Sequence, residues 1–274
     1  MKRYRWLLGC CLFLSIGMLW AADEPDLRML QQKAAQSRDM EGYVGVCKYL
    51  YQTEENPELL LLYADSIHQL ATKSKKPEQL VEYYIWASEG NFIKGDFQQG
   101  YALKRKAIAL AEKAGLKFAI SQSCCDMGYY CNVDARYDSA RYYFRKGLEA
   151  GEDLSEAGEA CRTMLTNYAS SFLFEGKTDS ALVYTIRASE RSAADKDTAM
   201  LIENLNQLGT IYRRKKDLEN CIANFEQALH LCELRGNHNA VAFIYGNIAT
   251  AYCDWNRPGD AIPFSEKAVE YALK

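Results

Sequence analysis

The sequence predicts an all-α fold, a right-handed superhelical solenoid of stacked antiparallel helix hairpins. Three observations predict it. Small residues recur with a period of 40 or 41 positions. Apolar residues recur at helical intervals on both sides of short polar turns. Only five prolines and no long polar tract interrupt the 274 residues, so no interdomain linker divides the chain.

The stretch from Leu208 to Leu229, LGTIYRRKKDLENCIANFEQAL, supplies the markers: Gly209, Cys221 and Ala228. Stepping back by 40 or 41 residues gives Ala169, Ala181 and Ala188, then Gly128, Ala140 and Gly147, then Ser88, Gly100 and Ala107. Stepping forward 40 gives Ala249, Ala261 and Ala268, and all fifteen positions hold Gly, Ala, Ser or Cys. Leu201, Leu205, Leu208, Ile211 and Tyr212 precede the charged RRKKD, and Ile222, Phe225, Ala228 and Leu229 follow it, so two amphipathic helices flank a turn. The turns recur at Lys94-Gly95-Asp96, Asp134-Ala135-Arg136, Glu175-Gly176-Lys177, Lys215-Lys216-Asp217 and Arg257-Pro258-Gly259. Small side chains at the markers let the helices approach closely. A lone hairpin would leave one apolar face in water, so stacking is obligatory.

These residues resemble the tetratricopeptide repeat family, whose repeat shows Leu-Gly-x-x-Tyr in its first helix and then Ala, Phe and Ala in its second. Leu208-Gly209, Tyr212, Cys221, Phe225 and Ala228 match it; so do Met127-Gly128, Ala140, Phe144 and Gly147, and Ile248-Ala249, Tyr252, Ala261 and Ala268. Thr185 and Ser265 stand where Phe is usual, with Tyr184 and Phe264 one place earlier, and the earliest copy has Asn91 and Lys104 at the Tyr and Phe positions. The period of 40 exceeds the family's usual span of about 34 and is similar to the long-period variety in bacterial peptide-sensing and transcription-activating regulators and in kinesin light chains. The expected organisation is a signal peptide or N-terminal anchor over 1–22, and atypical N-terminal helices with a degenerate repeat over 23–80. Five repeats over 81–274 follow, starting near Val81, Ser121, Arg162, Ile202 and Val241.

The first 22 residues join a basic MKRYR to the apolar run WLLGCCLFLSIGMLW and a small-residue exit at Ala21-Ala22, which reads as a secretory signal. Cleavage would leave a mature chain beginning near Ala22 or Asp23, and the expected location is periplasmic or membrane-associated. Trp6 to Ala22 is 17 residues, the short limit for an uncleaved anchor. A net charge of −3 offers no concentrated positive face for nucleic acid. Eight cysteines lie beyond the signal, none in a CxxC pair, and the three histidines are scattered, so neither a metal nor another cofactor is expected. Cys131, Cys221 and Cys253 fall on or beside packing positions and read as small hydrophobes. No GxSxG, GxxxxGK[ST] or HExxH motif is present, and the chain reads as non-catalytic.

In the family, first helices line a concave wall that commonly holds a peptide. Carried over by position, this wall includes Glu82, Ile85, Trp86, Glu89 and Phe92, then Cys125, Asp126, Tyr129 and Asn132. It continues through Asn167 and Ser170, then Glu203, Asn206, Gln207 and Arg213, then Phe243, Gly246, Asn247, Thr250 and Cys253. The expected peptide-binding residues are Tyr129, Asn132, Asn167, Ser170, Asn206, Gln207, Arg213, Asn247 and Thr250. Asn167, Gln207 and Asn247 share one repeat position, and an amide ladder suits the backbone of an extended peptide. The Lys-and-Asn clamp that chaperone-binding members use for a C-terminal carboxylate is absent, because Ile85 with Glu89 and Cys125 with Tyr129 occupy its positions. Arg213 to Lys216 reads as a helix-end cation cluster and Lys104-Arg105-Lys106 as an exposed face. Ile262, Phe264, Val269 and Leu273 are expected to form an exposed apolar surface on the final helix that invites self-association. The function implied is an exported, non-catalytic protein- or peptide-binding scaffold, the sensory part of a bacterial regulator; the competing readings are a membrane-anchored assembly scaffold and an unrecognised enzyme.

Overall fold

A computed structural model describes residues 27–54 and 56–274, so the signal expected over 1–22 lies outside the described residues. The described chain is helical, with no strand. In order, the helices are α1 (Leu27–Ser37), α2 (Met40–Thr53), α3 (Pro57–Ser74), α4 (Pro77–Lys94), α5 (Phe97–Ala114), α6 (Lys117–Val133) and α7 (Tyr137–Gly151). A short 3-10 turn, Ser155–Ala157, leads to α8 (Gly158–Phe174), α9 (Thr178–Ala194), α10 (Thr198–Arg214), α11 (Leu218–Leu234), α12 (His238–Asp254) and α13 (Pro258–Ala272). No described helix is long and apolar enough to cross a membrane.

The chain divides into two units. The N-terminal unit comprises described residues 27–130 with Tyr142–Cys161, and the C-terminal unit comprises Cys131–Arg141 with Arg162–Lys274. In each, consecutive helices pack antiparallel through links of two or three residues, apart from the six residues 152–157 between α7 and α8, which is the all-α tetratricopeptide-like solenoid class expected from the period. Leu50, Leu60, Ile67, Val81, Trp86 and Leu103 centre the N-terminal core. Leu205, Leu208, Phe225, Ile244 and Ile248 centre the C-terminal one.

One link geometry recurs from Gly95 onward. Gly95, Gly115, Ala135, Gly176, Lys196, Lys216, Gly236 and Asn256 all adopt positive φ. The next residue's N–H reaches back to a carbonyl five positions earlier, from Asp96 to Asn91 at 2.9 Å through Arg257 to Tyr252 at 2.9 Å. This is the Schellman ending, which satisfies orphan carbonyls and reverses the chain in the fewest residues. Asp96, Asp197, Asp217 and Asn237 then cap the following helix through their side chains. The earlier links at Arg38, Glu54 and Lys75 also use positive φ but close only onto Ala34, Leu50 and Ala71, four residues back.

The small markers have a mechanical cause. A Cβ on Gly209 would meet the Phe225 ring at 2.6 Å, and one on Gly128 would meet the Phe144 ring at 2.3 Å. The second-helix ring therefore occupies the volume that the first helix leaves empty, and both rings are fully buried. In α4 and α5 the arrangement is inverted: Phe92 of the first helix lies over Gly100 of the second, whose Cβ would meet that ring at 2.7 Å.

Several expectations are corrected. The hairpins expected to start near Val81, Ser121, Arg162, Ile202 and Val241 begin three or four residues earlier, at Pro77, Lys117, Gly158, Thr198 and His238, because caps and first turns carry no periodic signal. The last link is Trp255 to Arg257, since Pro258 opens α13, where a missing N–H costs nothing. Lys104 is not on an exposed face but fully buried, whereas Cys253 is exposed rather than packed. On α13, Ile262, Val269 and Leu273 are 57%, 61% and 84% exposed, but Phe264 is half-buried and stacks on Tyr252 at 5.4 Å.

Removing the ring by Phe225→Ala is expected to lower stability by about 3–5 kcal/mol, and crowding it by Gly209→Val by about 1–3 kcal/mol. Urea unfolding midpoints at constant m-value would check both; a neutral Gly209→Val would show that the glycine does not set the helix spacing.

Candidate functional site

The C-terminal unit brings most of the expected residues together. Residues 203, 206, 207 and 210 fall at helical spacing on one side of α10, with 167 and 170 on α8 and 243, 246, 247 and 250 on α12. Direct rungs join these first helices. Gln207 Nε2 donates to Ser170 Oγ at 2.7 Å, and Asn247 Nδ2 donates to Asn206 Oδ1 at 2.7 Å. Asn132 Nδ2 donates to the Asn167 carbonyl at 3.0 Å.

The ladder is offset from the sequence register. Asn247 pairs with Asn206 and not with Gln207, and Gln207 has its other end occupied by the Thr185 hydroxyl at 3.0 Å. Gln207 therefore spends its amide inside the unit. Asn204, one face further round, is likewise closed between Thr166 at 2.8 Å and Ser192 at 3.1 Å. By contrast, the half-buried Asn167 amide makes no side-chain hydrogen bond among the described residues, and the Asn206–Asn247 pair leaves one NH2 and one carbonyl oxygen unengaged. Asn132 is buried with its Oδ1 unpartnered. Ser170 and Thr250 turn their hydroxyls back onto Thr166 and Gly246 carbonyls, at 3.1 and 2.8 Å. Arg213 reaches Asp254 at 3.5 Å.

Two wall positions outside the expected peptide-binding set, Gly246 and Glu203, belong to this face. A Cβ on Gly246 would meet nothing within 4 Å, so open space lies over α12 beside Asn247. Glu203 is half-buried and makes no hydrogen bond or ion pair among the described residues. Burial, reinforced by the charge of Asp197, pushes its carboxyl up from 4.5 to about 8.

Tyr129 belongs to the N-terminal unit, where it meets Tyr130 edge-on at 5.4 Å. There the first helices carry a buried charge network. Lys104, from α5, contacts Glu89 of α4 and lies 2.9 Å from Asp126 Oδ2 of α6. The Tyr130 hydroxyl donates to Glu89 Oε2 at 2.8 Å, and the Tyr130 ring stacks on Phe92 at 3.6 Å. Burial pulls the Lys104 ammonium down, but the charges of Asp126 and Glu89 outweigh it and hold the lysine above its ordinary value, protonated. The Trp86 N–H donates to Glu82 at 2.9 Å, and Tyr51 of α2 meets Trp86 edge-on at 6.3 Å. The Lys104 network is not legible in the sequence because a lysine that opens the run Lys104-Arg105-Lys106 on a helix reads as solvated; only its place at a ring position hints otherwise.

Cys47, Cys124, Cys221 and Cys232 are free thiols pushed up to about 11 or 12 by burial, the behaviour of inert core groups.

Because the native Glu203 carboxyl holds a proton that the unfolded chain has released, stability falls as pH rises from about 4.5 to about 8. Glu203→Gln is expected to remove that decline and to raise the melting temperature at pH 8. Parallel melting-temperature profiles for the variant and the parent would show no divergence across this window if the carboxyl were not buried.

Residues 199–274 match the tetratricopeptide repeat family model. No curated protein sequence matches the chain. Among solved structures, RapI in its apo form aligns with a TM-score of 0.72 at 10% identity, over 99% of this chain and 76% of its own. BtubC (BKLC) from P. vanneervenii aligns at 0.67 and 16% identity, over 83% of this chain and 91% of its own. The apo quorum sensor NprR from B. thuringiensis aligns at 0.59 and 15% identity, over 100% of this chain and 76% of its own. These likenesses are of fold.

Proposed function

We propose that this tetratricopeptide-repeat protein is a non-catalytic scaffold that binds a partner's extended segment or a free peptide on the inner side of its first helices. The observation that carries this reading is the Asn206–Asn247 pair. Fixed to each other at 2.7 Å, the two amides still hold one donor and one acceptor, the complement of one peptide unit's C=O and N–H. Asn167 carries a second such set on α8, and Gly246 leaves room for a backbone to lie close. Half-buried amides that hold each other in place lose little entropy when a ligand arrives. The quorum sensor NprR has the same fold, which is in keeping with a sensory role for this chain.

Gly246 offers a test that separates binding from folding. Replacing a mid-helix glycine that has open space above it gains helix propensity, about 1 kcal/mol. Gly246→Leu is therefore expected to melt no lower than the parent while losing retention of random-sequence hexapeptides on the immobilised protein. A Gly246→Leu protein that retains the same peptides as the parent would sink the inner-face reading.

We propose also that the chain is exported, on the basic, apolar and small-residue order of its first 22 residues, and that it self-associates through α13. Ile262, Val269 and Leu273 are spaced 7 and 4 apart, along one side of that helix, and all are exposed. Material purified from an exported fraction should begin near Ala22 or Asp23 by N-terminal sequencing. It should also grow in mass with concentration by light scattering, a growth lost when the three residues are replaced by Ser. Recovery of an intact Met1 in the cytoplasm would overturn the first claim, and a constant monomer mass the second.

A further inference from the structure

We propose that the exposed ring of Phe243 and the open notch over Gly246 form a specificity seat for a leucine-sized apolar side chain of the bound peptide, next to the peptide unit held by Asn206 and Asn247. This rests on the peptide-binding reading above and names the chemistry that selects the ligand.

Phe243, Gly246 and Asn247 lie three and four positions apart, along one side of α12. Asn247 pairs with Asn206, so the preceding turn of α12 runs beside the turn of α10 that holds Ile202 and Glu203. All of these residues belong to the C-terminal unit.

Packing accounts for neither Phe243 nor Gly246. The Phe243 ring is 36% exposed and belongs to no aromatic pair among the described residues. The other rings of α12, Tyr245 and Tyr252, both meet Phe264, at 6.3 and 5.4 Å. The positions that correspond to Phe243 in the other first helices carry Glu82, Gln122, Thr163 and Glu203, so the repeat needs no ring there. Gly246 differs in the same way from Gly128 and Gly209. Those two make room for Phe144 and Phe225, but a Cβ on Gly246 would meet nothing within 4 Å. Its counterparts Ile85, Cys125, Thr166 and Asn206 all carry side chains. A glycine inside a helix with no ring to admit only lowers stability. An unused ring and an unfilled gap thus stand one turn apart, on α12 alone among the five first helices.

The chemistry around the notch selects its occupant. The Gly246 carbonyl accepts the Thr250 hydroxyl at 2.8 Å, on top of the bond that every mid-helix carbonyl makes, so both of its lone pairs are spent. Ile202 is buried, and burial keeps the Glu203 carboxyl protonated at neutral pH. Arg213 and Asp254, further along α10 and α12, pair with each other. No charge therefore stands beside the ring to draw a charged side chain, and the free halves of the amide pair match a backbone. In an extended segment every second side chain faces the protein, so the one beside the held peptide unit is carried onto the ring.

The test uses the full chain and two fluorescein-labelled hexapeptide pools, with leucine or asparagine fixed at a central position and the rest random. Asparagine keeps the branched outline of leucine and is polar. The leucine pool is expected to bind about tenfold more tightly, the scale set by burying one leucine side chain. Phe243→Gln, which gives α12 the residue type of position 122, should reduce that advantage to within about threefold. Helical content by circular dichroism should stay unchanged, because the ring is exposed. Phe243→Leu keeps an apolar wall and should retain most of the advantage, and binding of the asparagine pool should be the same in both variants as in the parent. Equal binding of the two pools overturns the seat while leaving the peptide reading standing. Binding of neither pool overturns both. A leucine preference that Phe243→Gln leaves intact places the apolar contact elsewhere and overturns the seat. So does a parent with no leucine preference whose growth in mass with concentration, by light scattering, is lost in Phe243→Gln, because the ring then faces a second copy of the chain.

Discussion

A ring seated where a Cβ is missing governs the rest of this structure. Phe225 over Gly209 and Phe144 over Gly128 bring the two helices of a hairpin to a distance that larger side chains would forbid. Once that spacing is set, the link between helices must reverse the chain in two or three residues. The recurring positive-φ residue followed by a Schellman bond is the economical way to do so. The positive-φ position is therefore required by geometry even where the sequence supplies Ala135, Lys196 or Lys216, residues that bear the strain of a left-handed conformation without a glycine. Packing in the core outweighs local preference in the links.

The hairpin of α4 and α5 shows what happens when the governing contact is altered. With Lys104 at the ring position, the ring comes from the other helix: Phe92 covers Gly100 and stacks on Tyr130. Tyr130 in turn donates to Glu89, and Glu89 meets Lys104. The apolar substitute and the ion network are thus one connected arrangement. Replacing Lys104 by an apolar residue would leave Glu89, which is buried, and Asp126 without their shared partner, so the exchange cannot be made one residue at a time.

This history explains what was legible in the sequence. Positions where a side chain must be small were visible as a period, because the constraint is the same in every copy and Gly, Ala, Ser and Cys all satisfy it. Helix starts were less visible, since Asp197 or Asn237 caps by a local hydrogen bond that has no apolar periodicity. The proposed binding face is legible only as a set of positions. Which amide is spent and which is free depends on hydrogen bonds between helices some 40 residues apart, Gln207 with Ser170 or Asn247 with Asn206, and a repeat register cannot distinguish them. Lys104 was misread for a similar reason: its partners Glu89 and Asp126 are 15 and 22 residues away.

The polar groups at these first-helix positions fall, within each unit, into two physical kinds. Gln207, Asn204 and Ser170 have partners for what they bury, as a folded interior demands. Asn167, the outer halves of Asn206 and Asn247, Oδ1 of Asp126 and the Glu203 carboxyl do not. Keeping Glu203 half-buried without a cation opposes folding at neutral pH, and a glutamine there would remove the cost. Stability alone gives no reason for a carboxylate at that position. Stacked repeats draw their stability from contacts between neighbours, and those contacts are made by the rings and small residues on the other sides of the helices. These first-helix positions are thereby released from packing, and the groups left unsatisfied on them are the ones that the proposed ligand would complete.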